Sequence, residues 1–298
     1  MTIAACYVSP EGVVFGSDST ASLNAAGGFH FFNHNQKLFE LGNGDSTLAV
    51  VTWGLGGFGP ISLRTLFVEL ADDLKATPPT TLQDVADRWA TKIWAIYSMD
   101  PQLAPGIAAY RALAAKPPYD ASAQPPDPAA RSPDEEEYFA GLSRVLISGF
   151  CVGGYLLRDR VPGAFEIVLT PSLMAAPRPD PIAMNNWRFW GAPLLTNRLL
   201  YGCDDGLFER VIASPHWNGT AADLRALIRP GILQHPVLPI RDAIDFVHTC
   251  IYSTIKGMKF SAMPQICGGP VELAVITTDR PFRWVRHKEW DAAVWENG

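Results

Sequence analysis

The first eighteen residues constrain this chain more than any other stretch. Residues 2–8 and 13–18 are two runs rich in apolar, β-favouring side chains, separated by Ser9-Pro10-Glu11-Gly12. That pattern predicts a β-hairpin whose reversal needs positive φ only at Gly12. Closing the hairpin sets Asp18 opposite residues 2 to 4, and directly paired residues lie roughly 4.5–5.5 Å apart. A carboxylate is thereby delivered beside a threonine preceded only by Met1. Methionine ahead of a small side chain is commonly removed, and its removal is expected here. Thr2 then owns a hydroxyl and a free α-amine, whose reference pKa of about 7.7–8.0 suits a base working near neutrality. A threonine with its own amine as proton acceptor is a known activated nucleophile.

Lys37 is the third candidate. In residues 36–41, period-2 alternation sets Lys37 on one strand face with Phe39 and Leu41. An unpaired ammonium is expensive to bury, and Asp18 is the counter-charge the hairpin supplies. Spacing alone also admits a lysine at a strand entrance that reaches out to water.

Taken together, Thr2-Ile3-Ala4-Ala5, the run Gly12 to Ser19, Lys37 to Leu41 and Trp53-Gly54-Leu55 resemble the β subunits of the proteasome and their bacterial relatives. Those are N-terminal nucleophile hydrolases. The resemblance implies that Thr2 is the nucleophile and that Asp18 and Lys37 activate it. It further implies that the backbone N–H of Gly54 helps form the oxyanion hole. The substrate is then a peptide or small amide, cleaved without cofactor or metal. The supporting turn and the motif before the last hairpin of that family correspond to Gly191-Ala192-Pro193 and Pro264-Gln265-Ile266-Cys267. Their usual serines and aspartate are missing, which leaves a non-catalytic scaffold subunit or a small-amide amidase as alternative readings.

Charge excludes some partners. Net charge is −6, with 18% charged residues, which gives no support to binding nucleic acid or an anionic membrane. No apolar run reaches the ~20 residues of a membrane span, and no basic, apolar leader opens the sequence. The five cysteines are scattered, without a CxxC pair, so neither a disulfide framework nor a zinc site is indicated. A cytoplasmic location is the expectation.

Further along, Leu63, Leu66, Phe67, Leu70 and Leu74 recur at helical spacing, as do Leu82, Val85, Ala86, Trp89, Ile93 and Ile96. Thr81 is placed to cap the second helix, with Asp84 at its third position. Residues 98–142 are rich in proline and acids, and predict one short helix and a mobile loop inserted into a single domain spanning 1–298. Strands are predicted over 145–157, 164–170 and 186–190, and short helices over 194–200 and 206–212. A long helix follows Pro239, with Ile240, Ala243, Ile244, Val247, Ile251 and Ile255 on one apolar face, and a closing hairpin covers 271–285. The order of elements predicts an α+β fold, the four-layer αββα sandwich of the resembled family. Phe246, Cys250 and Tyr252 on the long helix, with Trp94 and Tyr97 on an earlier one, exceed what a core stripe requires. That excess predicts a homo-oligomer, either ring or spiral.

Overall fold

The computed structural model describes residues 2–25, 28–42, 44–120, 127–233, 237–262 and 265–288. In chain order its elements are β1 (Ile3–Ser9), β2 (Gly12–Ser17), β3 (Ala21–Ala25), β4 (Gly28–Phe32), β5 (Leu38–Glu40), β6 (Ser46–Gly54), β7 (Gly57–Phe58), β8 (Ile61–Ser62), α1 (Leu63–Ala76), α2 (Leu82–Met99), α3 (Ala104–Ala114), α4 (Pro133–Val145), β9 (Ser148–Leu156), β10 (Gly163–Leu169), β11 (Asp180–Pro181), β12 (Asn186–Gly191), α5 (Leu194–Tyr201), α6 (Asp205–Ile212), α7 (Ala221–Ile228), α8 (Ile240–Lys259), β13 (Glu272–Thr277) and β14 (Arg280–Arg286). The α+β class read from the sequence is the class observed. The chain divides into two compact units, each with its own five-stranded sheet.

The first unit holds residues 1–38, 161–163 and 183–298. Its sheet runs β12-β1-β2-β13-β14. The predicted hairpin is β1 and β2, paired from Ala4 with Ser17 to Ser9 with Gly12. One sheet face (Ile3, Ala5, Tyr7, Val14, Leu273, Val275) packs on Ala243, Val247, Ile251 and Ile255 of α8, the stripe expected after Pro239. Gly16 permits that approach, because a Cβ there would lie 2.6 Å from Ile251 and 2.7 Å from Val247. In the next layer α5 rests on α8, where the buried hydroxyls of Thr196 and Thr254 are 2.7 Å apart.

The second unit holds residues 39–160 and 164–182, with the sheet β11-β10-β9-β6-β5. The predicted stripes of α1 and α2 are buried against it, with Phe67 and Trp89 ring centroids 4.9 Å apart and Trp89 5.2 Å from Phe150. Thr81 caps α2 by accepting the Asp84 amide at 3.0 Å. Among the described residues no helix is long and apolar enough to cross a membrane.

Where one short helix and a mobile loop were expected, two helices stand. Ser132 and Glu135 form a reciprocal capping box and Pro133 sits in the first turn, a start signal stronger than the loop-like composition around it. Tyr110 of α3 stacks on Phe139 of α4 at 4.7 Å. Arg131 ties the pair together. Its guanidinium donates to the Leu113 and Lys116 carbonyls, both at 3.0 Å, and to Glu136 at 2.6 Å, and lies 4.2 Å over Phe139. Residues 121–126, also part of that expectation, lie outside the described residues. Because α4 runs on to Val145, the next strand starts at Ser148 rather than at 145. The hairpin of β3 and β4 and the helix α7 carry no helical or alternating pattern strong enough to have been assigned.

The surplus aromatic and cysteine residues are mostly absorbed within each unit. Tyr97 and Cys250 are buried, Trp94 stacks on Tyr97, and Phe246 lies 5.0 Å from Trp187. Only Tyr252 of that set is exposed. Of the side chains that suggested self-association, Tyr97 and Cys250 are core residues and Trp94 and Phe246 are partly buried against the cores, reached from flanking helical positions.

Replacing Arg131 with Met removes hydrogen bonds from a charged donor to buried carbonyls, at a cost of about 2–3 kcal/mol. Amide hydrogen exchange should rise in α3 and α4 and stay unchanged in β1 and β2. Uniform loss of protection would contradict the clasp role.

Candidate active site

The site starts from the end of the β1–β2 hairpin. The Asp18 amide donates to the Ile3 carbonyl at 3.0 Å, and the Ile3 amide donates to Asp18 Oδ1 at 3.1 Å. The carboxylate is thus fixed one residue away from Thr2, as the hairpin predicts. Asp18 is fully buried. Its Oδ2 accepts the amides of Gly268 at 2.9 Å and Thr20 at 3.3 Å.

Lys37 stands just ahead of β5 and is 4% exposed. Its ammonium donates to Asp18 Oδ1 and to the Thr20 carbonyl, each at 2.6 Å. A lysine reaching out to water is therefore excluded. The pair is affordable only because the remaining lone pairs of the carboxylate are filled by backbone donors from three segments.

Thr2 is 5% exposed and enters the sheet through its carbonyl, which accepts the Ala192 amide at 2.8 Å. The preceding Gly191 has φ +85°, and a Cβ on it would lie 1.9 Å from the Thr2 oxygen. The turn Gly191-Ala192-Pro193 therefore lies against Thr2, with Ala192 contributing an amide and no hydroxyl.

The segment before β13 closes the other side. Ser19 donates through its amide to the Gly268 carbonyl at 3.0 Å and through its hydroxyl to the Pro270 carbonyl at 2.7 Å. Cys267 is fully buried, and its thiol is pushed up to about 12 by burial, reinforced by the charge of Asp18. It stays a neutral thiol beside the ion pair. Met1, whose removal was expected, and Pro264 lie outside the described residues.

The first unit thus brings together Thr2, Asp18 and Lys37. Gly54 belongs to the second unit, at the end of β6, with φ +82° and a position where a Cβ would meet the Ile147 oxygen at 2.2 Å. Thr20, Ser19 and Gly268 were not picked out by sequence reasoning, since Thr20 and Gly268 meet Asp18 and Lys37 through backbone atoms that leave no residue-type signal. Ser17 Oγ is buried and makes no hydrogen bond among the described residues. Among those residues no cluster of three or more His, Cys, Asp or Glu is placed to hold a metal ion.

No family model and no curated protein matches the chain. Solved structures that do match include Anbu (ancestral beta-subunit) from Yersinia bercovieri, at 12% identity over 95% of this chain and 86% of that one, with a TM-score of 0.42. A Gly-1 mutant of Anbu from Hyphomicrobium sp. strain MC1 matches at 11% identity over 100% of this chain and 94% of that one, also at 0.42. These matches correct the resemblance to proteasome β subunits: Anbu proteins are proteasome-like but form a distinct family. At such identity and TM-score the likeness does not extend to activity.

Two outcomes follow from this geometry. Lys37→Met leaves the buried Asp18 carboxylate with its backbone donors but no counter-charge and should cost about 3 kcal/mol in urea denaturation, whereas an exposed pair would cost under about 1. Stability should also fall at high pH. Cys267 and Cys250 are both raised from 9.0 to about 12 by burial, so the unfolded chain releases these protons first. Stability is then flat below about pH 9 and falls by up to about 1.4 kcal/mol per pH unit per thiol above it. Cys267→Ala should reduce that slope; an unchanged slope would show that the thiol ionises freely in the folded state.

Proposed function

We propose that the chain is an N-terminal-threonine amidohydrolase acting on a peptide or small amide. The observation that carries this reading is the buried Lys37–Asp18 pair, locked by Asp18 onto the Ile3 amide next to Thr2. Such a pair is costly to build, and a structural role alone is met as well by apolar residues of similar volume.

With Met1 removed, the α-amine of Thr2 takes the Oγ1 proton as the oxygen attacks the carbonyl carbon of the scissile amide. The C=O electron pair moves onto oxygen, where backbone N–H donors stabilise it; Gly54 enters this role from the sequence alone. Collapse breaks the C–N bond, and the leaving nitrogen takes the proton held by the α-ammonium. An ester on Thr2 remains. Water, deprotonated by the same amine, attacks the ester and releases the acid and the free hydroxyl. Two of the three Lys37 N–H groups are used by Asp18 and Thr20; the third is the donor that would orient and polarise Oγ1.

A second reading, a non-catalytic scaffold subunit, is favoured by Ala192 and Cys267, which bring no hydroxyl where the resembled family carries supporting serines. The two readings separate cleanly by experiment. Intact mass should show the chain lacking Met1, and Thr2→Ala should abolish turnover of fluorogenic peptide amides while leaving the thermal midpoint within a few degrees. Retained Met1, or turnover that survives in Thr2→Ala, would reject the hydrolase.

A further inference from the structure

The strongest unassigned surface lies on the helices α5 to α7. A groove of about 800 Å³ runs between them, floored by Tyr201, Phe208, Ile228 and Ile232. That volume is within the range of about 300–1,000 Å³ typical of sites that hold a compact ligand. Its surroundings are apolar where water would be expected. The helix α6 buries none of its residues although it carries Leu207, Phe208, Val211 and Ile212. Leu199 and Leu227 nearby are more than half exposed. Clustered apolar exposure of this kind marks a contact surface more often than a free one. The rim is basic: Arg225 and Arg229 line the groove, with Asp205 as the acid among the described lining residues. The Arg225 guanidinium lies 5.0 Å over the Phe208 ring, so charge and apolar floor are presented together.

The chain itself carries a complementary segment. Residues 289–298 lie outside the described residues, and their sequence holds Trp290, Val294 and Trp295 with Glu289, Asp291 and Glu296, and no Lys, Arg or His. Indole rings and carboxylates are what an apolar groove with an arginine rim accepts. We propose that the C-terminal segment 289–298 of one copy of the chain docks in the groove of α5–α7 of a second copy.

Distance requires the second copy. Lys288 is held at the β14 side of the sheet, where its ammonium lies 3.2 Å from Glu272 of β13. The groove is tied to the opposite edge strand, β12, through Tyr201, whose hydroxyl accepts the Trp187 indole N–H at 3.2 Å. With strands about 4.8 Å apart, β13 and β12 are three spacings, roughly 14 Å, apart. Trp290 follows Lys288 by two residues, a reach of about 7 Å. A tail that inserts both tryptophans must therefore use a neighbour's groove. Such a contact joins two different surfaces, so it propagates into a ring or a filament.

Sedimentation velocity of the full chain tests this independently of Thr2. Self-association at micromolar concentration is expected, weakening as salt rises. It should fall by roughly thirtyfold or more in Trp290→Ala/Trp295→Ala, and also in Arg225→Glu/Arg229→Glu, whose sites are exposed and leave the fold intact. A chain carrying Glu289→Arg, Asp291→Arg and Glu296→Arg should fail to self-associate, yet associate when mixed with the Arg225→Glu/Arg229→Glu chain. A single 32.5 kDa species throughout, association that survives the tryptophan changes, or a charge-swapped mixture that stays apart would each overturn the proposal.

Discussion

Asp18 is where the first unit is tied together. One carboxylate accepts the amide of Ile3 from β1, the amide of Thr20 after β2, the amide of Gly268 before β13 and the ammonium of Lys37. The neighbouring turn, two nearby segments and one 250 residues away in sequence are thereby held around one buried charge. Each bond offsets part of the desolvation of Asp18, and none would suffice alone. The local arrangement at Thr2 depends on this: β1 is pinned by its Ile3 amide on one side and by Ala192 on the Thr2 carbonyl on the other.

This dependence explains why the framework needs no hydroxyl from Ala192 or Cys267. Ala192 and Cys267 keep their places through backbone geometry, the former behind a glycine at φ +85° and the latter before the Gly268 amide. The frame is made of main-chain donors, which side-chain substitution does not remove. The side chains set the polarity next to the pair. A neutral, fully buried thiol at Cys267 is a poor hydrogen-bond partner, so Lys37 and Asp18 have fewer competing side-chain partners near them.

How much of this was legible in the sequence follows from which atoms do the holding. For Lys37, spacing left a water-facing lysine open as well, and only the resemblance singled it out. The hairpin and Asp18 were readable because alternation and one glycine turn fix a register, and register fixes which side chains meet. The helical stripes of α1, α2 and α8 were readable for the same reason. Thr20 and Gly268 were not, because their contribution is an amide or a carbonyl, which every residue carries. Residues 98–142 misled through composition: proline and acid content suggested a loop, but Ser132, Pro133 and Glu135 form a cap, and one buried arginine supplies the long-range contact that composition cannot show. Most of the extra aromatics of α2 and α8 are wholly or partly buried within their own units, since a wide helix face can be covered by its own neighbours, and only Tyr252 of them is exposed.

The central claim is that the Lys37–Asp18 pair activates a threonine bearing a free amine. A peptide electrophile with two reactive centres, such as an epoxyketone, tests it directly, because it must bond to both the hydroxyl and the amine of one residue. Peptide mapping by mass spectrometry should find a single adduct on Thr2, formed far more slowly in Asp18→Asn. An unmodified Thr2, or an adduct that forms equally fast without the Asp18 charge, would contradict the account.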